Sequence, residues 1–211
     1  MKRKAIINCD PGHDDVMAIL LGGRTLDLQG ITPVHGNASL ENTTRNARQT
    51  LEFAGLTAIP IAVGMPRPLV REPRYAPQVH GLSGLDGPQL DPPTLLLHPQ
   101  HAVEDLYLVS VGPLTNIASA LQRDPTLPTR IKGISLMGGS LTFGNATPTA
   151  EFNTYCDPEA AHVVFTSGIP IKMIGLNVTH QVPATAECRA QIRKMGFEEH
   201  LTENVRLGNH A

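Results

Sequence analysis

Short apolar runs alternate with stretches of helical periodicity along most of the chain. Ala5-Ile6-Ile7 predicts a buried strand, and Val16, Ile19 and Leu20 then recur at the spacing of a helix. The same pattern predicts further strands at 28–34, 60–63, 106–111, 131–137 and 169–176, and further helices at 40–54, 114–121, 157–165 and 184–195. Strands that alternate with helices are typical of a parallel sheet with crossover helices. We therefore expect a single α/β domain over residues 1–211, with a Rossmann-like, mainly parallel sheet flanked by helices.

Two long segments without periodicity interrupt this alternation, at 65–101 and at 138–150. The first of them is rich in proline and glycine. Long loops without secondary structure are uncommon inside a compact domain, and those that occur are usually functional or mobile. Both segments are therefore candidates for functional loops.

The composition argues against a nucleic-acid-binding protein, a membrane-spanning protein and a protein held by disulfides or zinc. Hydrophobic residues make up 41% of the 211, and the formal net charge of −2 gives no reason to expect nucleic acid or an anionic membrane as a partner. Aromatic residues are 4% and tryptophan is absent, which argues against a base-stacking platform for single strands. The three cysteines match neither a disulfide framework nor a zinc pattern. No apolar run approaches the roughly 20 residues of a membrane span, and Ala5-Ile6-Ile7 after the basic start is too short for a signal-peptide core, so we expect a cytoplasmic protein.

Three carboxylates cluster where the first strand ends and the first helix begins, at Asp10, Asp14 and Asp15. A single aspartate at a helix start is explained by capping of the free N–H groups. Three of them packed together repel one another, so either they are hydrated and scattered or a cation gathers them. Ligands of open α/β sheets bind at the carboxyl ends of strands, where these residues lie. Hard oxygen ligands suit Ca²⁺ or Mg²⁺, and Ca²⁺ tolerates the looser geometry. The cluster therefore predicts a cation site.

The run Asn8-Cys9-Asp10-Pro11-Gly12-His13-Asp14-Asp15 resembles the Asp-x-Asp-Pro-Gly-x-Asp-Asp signature of the inosine–uridine nucleoside hydrolase family. Further matches follow in the family's order and cover most of residues 4–181: Val34-His35-Gly36-Asn37, residues 79–87, Val111-Gly112-Pro113-Leu114-Thr115-Asn116, Met137-Gly138-Gly139, and Gly144-Asn145 with Glu151-Phe152-Asn153 and residues 157–161. His13 and the ending Leu85-Asp86-Gly87-Pro88 look most like the pyrimidine-preferring ribonucleoside hydrolases.

The resemblance implies Ca²⁺-dependent hydrolysis of the N-glycosidic bond of a ribonucleoside to ribose and free base, in nucleoside salvage. The substrate would be of the uridine, cytidine or inosine class, and the protein a homo-oligomer, often a tetramer. Asp10 would be the general base and a metal ligand, with Asp15 and the backbone carbonyl of Val111 as further ligands. The residues implied in substrate binding are Asp14, Asn37, His80, Met137, Asn145, Glu151 and Asn153.

Most of these residues also have a structural explanation that the sequence leaves open. The alternatives are turns for Asn37 and Asn145, a solvated loop for His80, and a helix start for Thr115 and Asn116. Glu151 and Asn153 could instead cap the predicted helix near Asp157. Val111 has no signal of its own and rests on the resemblance alone.

The chain departs from the family pattern in three places. Asn8 stands where the family usually has aspartate, which removes one charge near Asp10. Residues 101–104 run almost directly into the strand at 106–111, although a parallel crossover needs about a dozen residues or more. No match to the family's downstream His-Asp pair, which supplies a metal ligand and a group near the leaving base, follows Thr179-His180-Gln181. We therefore expect the nucleoside hydrolase fold without part of one crossover and without the C-terminal region.

Two explanations of these departures remain open. Either the sequence omits residues that the protein has, or the polypeptide is short and is a degenerate relative that binds a nucleoside or ribose without turnover. A third class would be a Mg²⁺-dependent phosphoryl-transfer enzyme built on an Asp-x-Asp pair after the first strand. That pair reads Asn8-Cys9-Asp10 here, so the nucleophilic carboxylate would be lost, and there is no Walker loop.

Overall fold

The computed structural model describes residues 2–87, 90–97, 105–183, 185–187 and 190. Within them, five strands form one sheet: β1 Lys4–Cys9, β2 Asp27–Pro33, β3 Leu106–Ser110, β4 Ile131–Met137 and β5 Ile171–Ile174. The strand order is β2-β1-β3-β4-β5, and every neighbouring pair is parallel. The prediction of a Rossmann-like, mainly parallel α/β fold is confirmed.

The helices are α1 His13–Thr25, α2 Leu40–Phe53, α3 Pro77–His80, α4 Thr115–Arg123, α5 Phe152–Cys156, α6 Pro158–Phe165 and α7 Leu176–Thr179, with a 3₁₀ turn at Leu127–Arg130. The four longer helices, α1, α2, α4 and α6, lie where helical periodicity predicts them. The sequence pattern missed α3, α5, α7 and the 3₁₀ turn, because a helix of four or five residues is too short for an apolar period to repeat.

The predicted strand at 60–63 is wrong. Only Ile61 pairs with β2, through one isolated parallel bridge to Ile31. The N–H of Ile31 donates to Pro60 O at 2.9 Å, and the N–H of Ala62 donates to Ile31 O at 3.0 Å. Beyond this bridge the N–H of Gly64 donates to Pro33 O at 3.1 Å, but Pro33 has no N–H to donate in return, and Pro60 has none on the other side of the bridge. The segment therefore lies along the edge of β2 without becoming a strand, with Ile61 buried and Val63 exposed.

Two predictions fall wholly or largely outside the described residues. The shortened crossover at 101–104 lies wholly outside them, and most of the predicted helix at 184–195 does as well. The described part of the first long segment contains α3, and the segment 138–150 contains no helix or strand, as predicted. No helix in the described part of the chain is long and apolar enough to cross a membrane.

Two apolar clusters hold the helices against the sheet. One joins β3 and β4 to α4 and α6 around Ile134 and Val164, and the other joins β1 and β2 to α1 and α2 around Ile7 and Leu51. From β1 the chain crosses to β2 on one side, and it later returns to pair β3 with the other side of β1. The boundary between β1 and β3 is thus a topological switch point, where open sheets of this order bind their ligands.

Candidate functional site

The predicted site residues converge at the carboxyl edge of the sheet. Asp10 directly follows β1, Asn37 lies in the loop after β2, Val111 directly follows β3, and Met137 ends β4. Parallel strands bring these ends to one edge of the sheet. Asp10 and Val111 flank the switch point itself, because β1 and β3 are neighbours.

Asp10 and Asp15 form a buried carboxylate pair at the start of α1, each of them 1% exposed. The Asp15 carboxylate accepts hydrogen bonds from the N–H groups of Asp10, at 3.2 Å, and of Gly12, at 3.1 Å. Asp15 therefore caps the helix and at the same time holds the turn that carries Asp10. Asp14, the third carboxylate of the cluster, is exposed.

Asn37 holds both buried carboxylates. Its backbone N–H donates to Asp10 Oδ2 at 2.7 Å, and its Nδ2 donates to Asp10 O at 3.0 Å and to Asp15 Oδ2 at 3.3 Å. Asp10 Oδ1, by contrast, is buried and has no hydrogen-bond partner among the described residues. A buried carboxylate oxygen without a donor needs another source of positive charge.

Burial and repulsion raise the pKa of both carboxyls. The pKa of Asp10 lies well above its usual value, first because the group is buried and then because Asp15 is close. The pKa of Asp15 is also well above its usual value, through burial and the charge of Asp14. The same burial and carboxylates raise the pKa of the Cys9 thiol, so Cys9 stays protonated and is no nucleophile.

Two glycines allow the backbone to approach the Asp10 carboxylate. A Cβ added at Gly36 would overlap Asp10 Oδ2, and one added at Gly112 would overlap Oδ1. Neither position has room for a side chain without moving the carboxylate, and this explains the glycine in each of these two motifs.

Replacing Gly112 with alanine is expected to lower the free energy of unfolding by roughly 1–3 kcal/mol, because the new Cβ forces Asp10 to move. The displaced carboxylate should also abolish any stabilisation by calcium. Gly30→Ala in β2 is the control, since its Cβ would meet Pro60 O at an ordinary 3.4 Å. Thermal melts with calcium and with chelator test this. A wild-type calcium shift in Gly112→Ala would contradict it.

Asn153 connects the ends of β3 and β4. Its Nδ2 donates to Val111 O at 2.9 Å and to Met137 O at 3.1 Å, and lies 3.5 Å from Met137 Sδ. The Val111 carbonyl keeps a second lone pair for another partner. Within the part of the chain that the structure describes, no group donates to Asn153 Oδ1, which leaves this oxygen to accept a hydroxyl of a ligand.

Glu151 is the N-cap of α5 and is 2% exposed. Its carboxylate accepts three backbone N–H groups at 2.9–3.0 Å, those of Gly139, Asn153 and Thr154. Glu151 therefore caps a helix, but this helix is α5 and not the predicted helix at 157–165, whose N-cap is Asp157. Asn153, the other candidate cap, joins strand ends instead. Asn145 also contacts the start of α5. Its side chain is exposed, and its Oδ1 accepts a hydrogen bond from the N–H of Phe152 at 2.9 Å.

Glu151→Ala is expected to lower the free energy of unfolding by about 1–3 kcal/mol, because α5 loses its cap and Gly139 N–H loses its acceptor. Asn145→Ala removes one exposed hydrogen bond and should cost roughly 0.5 kcal/mol or less. Urea denaturation of both variants measures the difference. Equal losses would argue against a dominant cap role for Glu151.

His80, at the end of α3, is packed against the acidic turn. Its ring stacks on that of His13 with the centroids 5.5 Å apart, and a Cβ on Gly12 would lie 2.7 Å from its Cε1. His13 Nε2 lies 3.0 Å from Asp86 O, which ties the loop after α3 to α1. The solvated-loop alternative for His80 is wrong. Burial lowers the pKa of His80, so its ring is neutral near pH 7.

Asn46, which is 2% exposed on α2, was not predicted from the sequence. Its Nδ2 donates to Pro11 O and to Ser83 O, both at 3.0 Å, and so joins the acidic turn to the loop after α3. A signal was present in the sequence. Thr43, Asn46 and Thr50 recur at helical spacing and form part of the buried face of α2, where apolar residues are usual.

Asn8 lies behind the site and uses its whole amide. Its Nδ2 donates to Ser110 Oγ at 2.8 Å and to Pro113 O at 2.9 Å, and its Oδ1 accepts from Asn116 Nδ2 at 2.8 Å. Asn8 therefore joins the ends of β1 and β3. Asn116 lies within α4 as expected, but its side chain also bridges strand ends.

The donor set fits a hard divalent cation. The carboxylates of Asp10 and Asp15 and the carbonyl of Val111 are oxygen ligands, and Asp10 Oδ1 is without a partner among the described residues. In those same residues, no group of three or more His, Cys, Asp or Glu side chains is placed to hold a metal ion. Calcium takes about 6–8 oxygens, so such an ion would need further ligands from water, from sugar hydroxyls or from elsewhere in the protein.

The family comparison agrees with this geometry. A family model described as inosine-uridine preferring nucleoside hydrolase matches residues 5–208. The chain belongs to this nucleoside hydrolase family. The pyrimidine-specific ribonucleoside hydrolase RihB of Escherichia coli strain K12 is 43% identical over 208 aligned residues, which cover 92% of this chain and 66% of the relative. The chain thus spans 66% of the length of the curated relatives that it matches.

Solved nucleoside hydrolases share the fold. A purine-preferring ribonucleoside hydrolase from Gardnerella vaginalis superimposes with a TM-score of 0.87 at 31% identity, covering 96% of this chain and 70% of that one. A plant nucleoside hydrolase, the PpNRh1 enzyme, gives a TM-score of 0.83 at 32% identity, covering 98% and 71%. The family indicated by the acidic run and the later motifs is confirmed.

Proposed function

We propose that this chain hydrolyses the N-glycosidic bond of ribonucleosides to ribose and free base, with calcium held by Asp10, Asp15 and the Val111 carbonyl. The observation that carries the proposal is the buried Asp10–Asp15 pair at the switch point, held by Asn37 and with Oδ1 of Asp10 unpartnered among the described residues. The names of the relatives support the reaction class. The pyrimidine-specific relative supports uridine or cytidine as the first substrates to test.

Asp10 is the proposed general base. A divalent cation, when bound, neutralises the carboxylate pair, acidifies water and orients sugar hydroxyls. Asn37 N–H holds Oδ2, so Oδ1 is the oxygen left to take the proton of the attacking water.

The remaining residues are proposed to hold the sugar and the base. Asn153 uses its amide N–H₂ within the protein, which leaves Oδ1 to accept from a ribose hydroxyl. The exposed Asp14 is a second hydroxyl acceptor, and the carboxylates together stabilise an oxocarbenium-like transition state. His80, neutral and stacked on His13, is proposed to approach the base.

Three further side chains are proposed to contact the sugar, as the family resemblance implies. Met137 would line the sugar pocket, and Asn145 and Glu151 would bind ribose hydroxyls in addition to the backbone contacts described above. We also expect a homo-oligomer on the same ground.

The decisive experiment is hydrolysis of uridine and inosine by the purified protein, followed as release of reducing sugar with calcium and with chelator. Asp10→Ala is assayed beside the wild type, and intact mass is measured on the same sample. Chelator-sensitive release that Asp10→Ala abolishes is the expected result. Calcium-dependent and ribose-dependent thermal stabilisation without any product would instead identify a binding protein.

A further inference from the structure

Three side chains behind the carboxylate pair form a hydrogen-bonded chain that the proposed mechanism does not use. His35, Thr115 and Asp157 are each 0% exposed. His35 Nε2 lies 3.1 Å from Thr115 Oγ1, and the Thr115 hydroxyl donates to Asp157 Oδ2 at 2.7 Å. Since His35 Nδ1 is buried without a hydrogen-bond partner among the described residues, the contact at Nε2 is the hydrogen bond that holds this ring.

The direction of each hydrogen bond follows from the acceptor at the end of the chain. Since Thr115 gives its single hydrogen to the Asp157 carboxylate, it accepts from His35, and Nε2 of His35 carries the proton. Burial lowers the pKa of His35 to about 4, with the nearby Asp157 opposing the shift. The His35 ring is therefore neutral near pH 7 and acts here as a donor, not as a charge.

Asp157 anchors the chain to the scaffold. Its Oδ1 accepts from the N–H of Ala160 at 2.9 Å and caps α6, while Oδ2 accepts from the N–H of Leu69 at 2.9 Å. Because α6 packs against α4 in one of the two apolar clusters, Asp157 and Thr115 are held in a rigid part of the domain.

The backbone next to His35 and the backbone next to Thr115 both contact the Asp10 carboxylate. His35 precedes Gly36 and Asn37, which contact Asp10 Oδ2. Thr115 ends the segment 111–115, which contains Gly112 against Asp10 Oδ1 and the Val111 carbonyl. The His35–Thr115 hydrogen bond thus connects the two backbone segments that contact the two oxygens of Asp10.

We propose that His35 and Thr115 are positioning residues for the cation site: their hydrogen bond fixes segments 35–37 and 111–115 relative to each other, and with them the donors and ligands around Asp10. This inference rests on the proposed function, since it assumes that Asp10 and Val111 hold a cation. Neither residue is among the proposed metal ligands or substrate contacts.

Two matched pairs of variants test the proposal. Thr115→Val keeps the shape of the side chain and loses the hydroxyl, whereas Thr115→Ser keeps the hydroxyl. His35→Met removes the ring N–H, whereas His35→Gln keeps an N–H donor at a similar reach. The His35 pair leaves the Thr115–Asp157 bond in place, so it isolates the cross-link and serves even where Thr115→Val fails to fold.

Calcium affinity is measured by calorimetry, and hydrogen exchange of the Asn37 amide is measured in chelator. We expect Thr115→Val and His35→Met to weaken calcium binding about 10–100-fold, the usual cost of losing a group that orients metal ligands. Their Asn37 amides should also exchange faster, while the Ile31 amide of β2 keeps its wild-type rate. Thr115→Ser and His35→Gln should stay close to the wild type in both measurements.

The outcomes separate this inference from the proposed function. Wild-type calcium affinity and wild-type Asn37 exchange in all four variants would overturn the positioning role while leaving the cation site intact. A wild-type protein that binds no calcium would overturn the cation site. A lower Tm for Thr115→Val and His35→Met with unchanged calcium affinity would mean that the chain is structural only, and would also overturn the inference.

Discussion

Replacing Asp10 with asparagine is expected to abolish ribonucleoside hydrolysis while making the metal-free protein more stable. The amide oxygen still accepts from Asn37 N–H, so the local structure is kept, but the general base and one ligand charge are lost. Loss of a general base alone costs about 10²–10⁴-fold in rate. The substitution also removes a buried charge and its repulsion by Asp15, which raises the free energy of unfolding of the metal-free protein. Each 1 kcal/mol gained in that free energy should raise the Tm by roughly 2–4 °C.

Asp27→Asn is the matched control, because Asp27 is an exposed carboxylate at the start of β2. It should leave both the rate and the melting temperature near the wild-type values. Rates come from reducing-sugar release with calcium, and melting temperatures from scans in chelator near pH 7. A lower Tm for Asp10→Asn in chelator would show that the ionised pair does not destabilise the metal-free fold.

Stabilisation by calcium is expected to increase as the pH rises. In the metal-free protein the folded-state pKa values of Asp10 and Asp15 are raised, so the stability that their protonation contributes is present at low pH. That stability is lost as the pH rises from the unfolded value of about 4 through the folded values. Bound calcium compensates the charges of the ionised pair and so prevents this loss of stability. The difference in stability between the calcium-bound and the metal-free protein therefore grows as the pH rises.

The measurement is the difference in Tm between calcium and chelator at about pH 5 and about pH 8. At a calcium concentration near 100 times its Kd the stabilisation is about 2.7 kcal/mol, or roughly 5–10 °C for a chain of this size. Other titrating groups cancel in the difference, and Asp10→Asn should show a much smaller shift at both pH values. A shift that shrinks towards high pH would contradict the proposed cation site.

Local sequence patterns predicted most of the scaffold because they reflect local physics. The strands β1 to β5 and the helices α1, α2, α4 and α6 each carry an apolar run or a helical period that can be seen within one element. The segment at 60–63 has the same apolar pattern as a strand, but Pro33 on β2 and Pro60 in the segment both lack the N–H needed to extend the ladder from the Ile31–Ile61 bridge. Whether an apolar run becomes a strand thus depends on the backbone N–H and C=O groups that are available for pairing with the neighbouring strand.

The candidate site shows the same division. The acidic run is enough to indicate a cation site, because three carboxylates so close in the chain are costly without a cation. The sequence left a helix cap open for Glu151, but it did not predict α5, and only the three N–H groups that converge on Glu151 show which helix it caps. Asn46 was missed, since its partners Pro11 and Ser83 lie 35 and 37 residues away in the chain.

The sequence by itself determined the strand and helix pattern, the family resemblance and the residues that carry the proposed chemistry, because these follow from side-chain type and short-range spacing. Only the tertiary structure decided which of the three carboxylates are buried together, that Asn37 holds both of them, and that His35 and Thr115 connect the segments around Asp10. These facts depend on contacts between residues far apart in the chain, and such contacts exist only when the parallel strands bring their carboxyl ends to one edge of the sheet.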